Sequence, residues 1–177
     1  MPAWLRKAVE REVTKDRLPD SERFAQLLTI PMTVVFLWFF FIHQSRPTGF
    51  FTDDFGALEA ALFYGVIVLG LVPAFVRLLT GRKNSGRPFD IMQMAFFAVA
   101  GAYLLSEFPF DFHHFADALP SYLQPTIDWM TDGIAKFVMA IALIAVVVSI
   151  PWNLLMYVFV GQRLPSEGMC CRGSPPT

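Results

Sequence analysis

Four long stretches without Asp, Glu, Lys or Arg constrain this chain more than any other feature of its sequence. They lie between Arg23 and Arg46, Glu59 and Arg77, Asp90 and Glu107, and Lys136 and Arg163. Apolar segments of about 20 residues cross a bilayer as helices, because a helix satisfies its own backbone hydrogen bonds in hydrocarbon. We therefore predict an all-α integral membrane protein with four transmembrane helices.

The composition supports membrane insertion and excludes an ordinary soluble domain. Only 16% of the residues are charged and 55% are hydrophobic, whereas soluble domains carry about a quarter charged residues. The formal net charge is −1, so no overall basicity indicates nucleic acid as a partner. Nineteen Phe and four Trp suit contact with lipid and with the membrane interface.

Helix start and stop signals set the predicted bounds of the spans. The third stretch has only 16 uncharged residues, which rise about 24 Å against a hydrocarbon core of about 30 Å. Pro88 suits a first helical turn and Pro109 lies just past an end, so this span is extended at both ends. Asp53 or Asp54 is expected to cap the second span, and Gly81 to close it. The predicted spans are residues 22–43, 54–80, 88–108 and 137–162.

The distribution of basic residues predicts the orientation of the chain. Twelve of the 14 Lys and Arg residues fall in the N-terminal segment, the second loop and the C-terminal tail, and the exceptions are Arg46 and Lys136. The positive-inside rule then places both termini in the cytoplasm, as in a multi-pass protein of the cell inner (plasma) membrane. Two basic and eight acidic residues give the outer loops a formal charge of −6, and twelve and seven give the inner face +5.

The N-terminal segment predicts an amphipathic helix. Within residues 3–18, Leu5, Val9 and Val13 recur at four-residue intervals, and charged residues fill most of the other positions. Such a helix is expected to lie on the cytoplasmic membrane surface, with docking to a soluble subunit as the alternative.

Two further segments outside the spans carry predictions. The outer connection, residues 109–136, is expected to contain short interfacial helices, because unstructured loops of this length are uncommon. Residues 163–177 are interpreted as a flexible cytoplasmic tail. Cys170 and Cys171 in that tail are expected to be reduced thiols, since adjacent cysteines rarely meet disulfide geometry.

Stripes of small residues predict where the last two spans touch. Helices that pack closely in lipid use small side chains at the contact. The candidates are Ala95, Ala98 and Ala102 on the third span, and Ala142, Ala145 and Ser149 on the fourth.

The segment FPFDFHHFADAL, residues 108–119, is the chemically richest part of the chain. As a helix it would place Phe108, Phe112 and Phe115 on one stripe, which predicts an interfacial or partner-facing helix. Its histidines and aspartates also permit a mixed nitrogen and oxygen metal site, whereas a haem would need histidines that face each other from two helices. The candidate ligands are His43, His113, His114, Asp111 and Asp117.

The sequence favours a non-catalytic role. No ionisable residue lies near the middle of a span, which argues against a self-contained ion pump or ion-coupled transporter, and no catalytic motif is present. We predict a small subunit of a larger multi-subunit membrane complex that anchors or scaffolds its partners. Its expected partner contacts are Phe108, Phe112, Phe115, Trp129, Trp4, Leu5 and Val9.

Two alternative functions stay open at this point. One is a redox subunit that binds haem or metal at the outer face, and the other is a homo-oligomeric channel or carrier for apolar or lipid molecules. No cofactor is assigned on the sequence alone, but bound lipids are expected alongside partner subunits.

Overall fold

The computed structural model describes residues 2–46 and 48–170, and for residues 165–170 the backbone alone. Within these residues the secondary structure is helical, and β-structure is limited to two isolated bridges. The α-helices are α1 (Ala3–Thr14), α2 (Asp20–Ser45), α3 (Ala57–Leu69), α4 (Leu71–Thr80), α5 (Lys83–Glu107) and α6 (Asp132–Cys170).

Four helical segments are long and apolar enough to cross a membrane, which confirms the predicted number. They are Asp20–Ser45, Ala57–Thr80, Lys83–Glu107 and Asp132–Leu164. The second is α3 followed by α4, with a break at Gly70. Pro73 lies just beyond that break. The break follows because proline lacks the N–H that would bond the carbonyl of Leu69.

The start of the second span differs from the prediction. Its N-cap is Gly56, and neither Asp53 nor Asp54 serves. The Glu59 carboxylate accepts the Gly56 N–H at 2.9 Å, and a glutamate at this position satisfies one of the free donors that begin a helix. The predicted end is confirmed, because Gly81 adopts φ +64°, in the left-handed region.

The third and fourth spans are longer than predicted. Helix α5 begins at Lys83, so Pro88 lies inside the helix and not in its first turn. Helix α6 continues to Cys170, so residues 163–170 are helical and not a tail. Residues 171–177 and the side chain of Cys170 lie outside the described part of the chain, and the prediction of two reduced thiols lies there too.

Helix α5 is the centre of the packing. It contacts α3, α4 and α6, while α2 packs mainly on α4. The predicted contact between the last two spans exists. Of its six predicted residues, Ala98, Ala142 and Ser149 are half-buried, whereas Ala95, Ala102 and Ala145 are exposed. The buried side of α5 instead includes Gly101, where an added methyl group would lie 3.6 Å from Leu143.

The predicted apolar stripe of α1 exists, but α6 covers it. Leu5, Val9 and Val13 are buried against Met156 and Val160. The apolar face of α1 therefore contacts protein and does not face lipid headgroups.

Ion pairs and backbone hydrogen bonds hold α1 and α2 to the start of α5. We call this region, formed by residues 12–23 and 77–90, the charged end of the bundle. Arg87 pairs with Glu12 at 2.5 Å, and Lys83 pairs with Glu22 at 2.6 Å. The Asp16 carboxylate accepts the Asn84 N–H at 2.9 Å. Arg77 and Asp90 form a further pair between α4 and α5.

Candidate functional site

A cluster of phenylalanine rings forms the other end of the bundle, which we call the aromatic end. Its rings come from the end of α2, the loop before α3, the middle of α3 and the segment after α5. They are Phe39, Phe40, Phe50, Phe51, Phe55, Phe63, Phe108, Phe110, Phe112 and Phe115. The most buried is Phe50, at 1% exposure, with rings packed around it from both loops.

The helix predicted over residues 108–119 is not formed. Phe108 ends α5 with φ 43°, and the backbone after it pairs with the loop before α3. The Asp111 N–H bonds the carbonyl of Phe50 at 2.8 Å, and the Thr52 N–H bonds that of Pro109 at 3.2 Å. This pairing leaves only a single 3₁₀ turn, Phe112–His114, within the segment. Later in the same connection, where interfacial helices were predicted, the structure has a second 3₁₀ turn, Gln124–Thr126.

The predicted partner-contact residues lie in three different settings. Phe108, Phe112 and Phe115 are half-buried in the aromatic end, and their rings pack on other phenylalanines of the cluster. Leu5 and Val9 are covered by α6. Trp4 and Trp129 are each 61% exposed, so among these seven residues the two tryptophans present the most open surface.

His43 lies inside the aromatic end and not on its surface. It is 3% exposed, and its ring centroid lies 4.8 Å from those of Phe39 and Phe50. Its Nδ1 forms a hydrogen bond with the Thr48 hydroxyl at 2.7 Å. His43 is therefore a packed core residue with a polar contact to Thr48.

His114 and Asp117 form a local pair at the surface. The His114 Nδ1 lies 2.8 Å from the Asp117 Oδ2, and both side chains are about half exposed. The hydrogen bond to this carboxylate raises the pKa of His114 above its ordinary value of 6.5, and Asp111 adds to the effect through its charge.

The fold brings together a different group of possible metal ligands. Donor atoms of Asp111, His113 and Asp132 all lie within 4.8 Å of one another. Asp111 and His113 were predicted candidates, but Asp132 was missed. No sequence signal links Asp132 to the histidines. Asp132 lies in the first turn of α6, and only tertiary contact brings that turn close to His113. His43, His114 and Asp117 lie outside this group.

Hydrogen bonds fix both carboxylates of this group. Asp111 accepts the His113 N–H at 3.0 Å, and Asp132 accepts the Phe112 N–H at 2.8 Å. An imidazole with two carboxylates is a donor set that suits a divalent ion with mixed nitrogen and oxygen preference.

An apolar cavity lies beneath the aromatic end, and sequence reasoning did not predict it. Its volume is about 280 Å³, and its lining comes from all four spans and from the segment after α5. The residues are Phe40, Phe50, Phe63, Val66, Ile67, Phe97, Gly101, Leu104, Phe110, Phe112, Phe115, Val138, Met139 and Ala142. Each of them is apolar, so the lining offers no side-chain hydrogen-bond donor or acceptor.

Comparison of the chain with protein-family models, with curated proteins and with solved structures finds no match. Function therefore has to follow from the geometry and chemistry of the chain's own residues.

Proposed function

We propose that the chain is a non-catalytic membrane subunit that anchors or scaffolds partner proteins within a larger complex. The observation that carries this proposal is the state of α2. In the most apolar 18-residue window of this span, no residue is buried inside the chain. A span that packs so little on its own bundle has most of its surface left for lipid or for another protein.

The exposed face of α2 has the character of a contact surface. Trp38 and Phe41 are 64% and 60% exposed. Together with Leu37 and with Tyr64 of α3, they line a shallow groove of about 550 Å³. Aromatic side chains are enriched at protein interfaces, because each buries a large area with little loss of side-chain freedom.

The proposal includes an orientation for the subunit. Both termini and the charged end lie in the cytoplasm, and the aromatic end lies on the outer side, in keeping with the basic residues in the loops. Helix α1 then sits at the cytoplasmic end of α6, and the exposed Trp4 and Trp129 lie near the two membrane interfaces.

Purification from native membranes in a mild detergent tests the subunit proposal. We expect at least one other membrane protein to co-purify in fixed stoichiometry. Replacing Trp38 and Phe41 together by Ala should release it, since aromatic anchors dominate most interfaces. The matched control replaces Ile144 and Val148 of α6, which are 65% and 66% exposed, by Ala and should retain the partner.

A monodisperse monomer with no stoichiometric partner would contradict the subunit proposal. A partner lost equally from the α2 and α6 variants would contradict the assignment of the contact to α2. In the second case the association follows the amount of exposed apolar surface and not a specific face.

A metal-binding role at the outer face is a second candidate, and the Asp111, His113 and Asp132 group supports it. Its donor atoms lie within 4.8 Å of one another. Ligands at about 2.1 Å from a zinc ion lie roughly 3.4 Å apart, so the donor atoms would have to approach one another by up to about 1.4 Å to close the site. The arrangement favours a metal over haem, because a haem needs two histidines that face each other from different elements. His113 and His114 share one turn, and the Nδ1 of His43 is bonded to Thr48.

Metal analysis of the purified protein tests this second candidate. We expect about one zinc or manganese ion per chain, lost in Asp132→Asn and retained in Asp128→Asn, which removes an exposed acid of the same loop. Substoichiometric metal in the wild-type protein, even after addition of each ion, would reject the site.

A further inference from the structure

We propose that the apolar cavity beneath the aromatic end binds the hydrocarbon chain of a membrane lipid. The cavity lies between the spans, is partly open at the side of the bundle near the exposed Val138, and has a volume of about 280 Å³. This inference concerns a binding site within the chain and is independent of any partner subunit.

The cavity is unsuited to water. A buried water molecule needs two to four polar partners, and apolar cavities of about 150 Å³ stay dry and take up apolar molecules. Here the lining side chains are all apolar, and the volume is larger. An empty space of this size is costly, because the atoms around it lose their dispersion contacts, so an apolar occupant stabilises the bundle.

The shape of the surrounding space indicates a chain and not a compact molecule. A second groove of about 480 Å³ runs along α2, α3 and α5 and shares five lining residues with the cavity. Phe40 and Phe63 stand at this shared wall, with their ring centroids 4.8 Å apart. The two spaces therefore adjoin along the spans, where hydrocarbon is the solvent.

Three of the ten residues that line the second groove are polar, Thr29, Thr33 and Gln93, and the other seven are apolar. The hydroxyl of Thr29 donates to the carbonyl of Ala25, and that of Thr33 to the carbonyl of Thr29. Since both hydroxyl protons are used within α2, they are not available to a ligand. With no group in the cavity to pair with a phosphate or an ester, only the hydrocarbon part of a lipid enters it.

The aromatic end closes the cavity on the side of the loops. Phe110, Phe112 and Phe115 of the segment after α5 belong to its lining, and backbone bonds to the loop before α3 hold that segment in place. A chain therefore enters from the side, along the spans, and the phenylalanine rings end its path.

Photolabelling by a defined lipid tests the inference. The full-length protein is reconstituted in vesicles of phosphatidylcholine that carry a small fraction with a diazirine at the end of one acyl chain. After irradiation, mass spectrometry maps the labelled residues. We expect labels on Leu104 and Phe110, which are 4% and 5% exposed and so are screened from bulk lipid. We also expect labels on exposed residues such as Val148.

A narrowed cavity should remove one set of labels and keep the other. Ala142 lines the cavity, and in Ala142→Phe the labelling of Leu104 should fall about fivefold, because the added phenyl ring takes space that the acyl chain would fill. Labelling of Val148 should not change. The matched control is Ala145→Phe, at an exposed position on the same helix, which should label like the wild-type protein.

The wild-type map decides the question even if Ala142→Phe does not fold. Labels confined to exposed residues would overturn the inference and would leave the cavity to a second copy of the chain or to no ligand. Equal labelling of Leu104 in the wild-type protein and in a folded Ala142→Phe variant would also overturn it.

Discussion

The three histidines of this chain have three different environments, although two of them are adjacent in sequence. His43 is buried among phenylalanine rings, His113 lies beside two carboxylates, and His114 pairs with Asp117 at the surface. A histidine responds to its nearest charged or apolar neighbours. Residues 113 and 114 thus differ because neighbouring side chains of a turn point in different directions, toward α6 in one case and toward Asp117 in the other.

The pair of His114 and Asp117 predicts a pH dependence. Because the bond to the carboxylate raises the pKa of His114 above 6.5 in the folded protein, the stabilisation by this pair is complete below about pH 6.5. It is lost as the pH rises through the folded-state pKa. NMR titration of histidine-labelled protein should show this raised pKa, and Asp117→Asn should return it toward 6.5.

The matched control for this titration is Asp128→Asn, which removes an exposed acid from the same loop. It should leave the pKa of His114 unchanged. A raised pKa that survives in Asp117→Asn would assign the effect to the acidic loops as a whole and not to this pair.

Among the elements, α1 shows most clearly how tertiary contact changes the meaning of an amphipathic pattern. Its apolar stripe suits a membrane surface equally well, but here Met156 and Val160 of α6 cover it. The ion pair between Glu12 and Arg87 adds a second attachment, to α5. Helix α1 is therefore a part of the bundle that locks two spans together at the charged end.

The packing of α1 predicts a measurable loss on truncation. Val9 is 0% exposed, and Val9→Ala removes two methyl groups worth about 0.8 kcal/mol each when buried. We expect the docking of α1 to weaken by about 1.6 kcal/mol, so that its backbone amides exchange hydrogen roughly tenfold faster. Lys7→Ala, at an exposed position of the same helix, should leave the exchange unchanged. Equal effects of the two variants would argue that α1 does not dock on α6.

At the scale of the whole molecule, the two ends of the bundle differ in chemistry. The charged end is held by ion pairs between helices, and the aromatic end by ring contacts and one short backbone pairing. The segments at the aromatic end, residues 46–59 and 107–136, carry two basic and eight acidic residues and so the lower formal charge. This asymmetry matches the distribution expected of a protein inserted with its basic loops in the cytoplasm.

The proposed orientation predicts the labelling of single cysteines. With Cys170 and Cys171 replaced by Ser, Asp128→Cys should react with a membrane-impermeant maleimide in intact cells. Lys7→Cys should react only after the membrane is opened. Both positions are exposed in the fold, so a difference in their labelling reports the side of the membrane on which each lies. The reverse labelling pattern would show that the orientation is opposite to the proposed one.

The sequence by itself determined the number of spans and the end of the second span. A long uncharged stretch in hydrocarbon has to form a helix, whatever the rest of the chain does. The left-handed residue that ends the second span, Gly81, is likewise specified by its own position in the sequence. Such features depend on neighbouring residues and on the solvent, so a linear reading finds them.

Only the tertiary structure decided the aromatic end, the cavity and the group that contains Asp132. The helical spacing of residues 108–119 predicted a helix, but the Asp111 N–H bonds the carbonyl of Phe50, and phenylalanine rings from both loops pack together. Likewise Asp132 comes close to His113 only because α6 begins beside that turn. Contacts between distant residues outweigh local helical preference, since burial of several aromatic rings is worth more than the small differences in helix propensity.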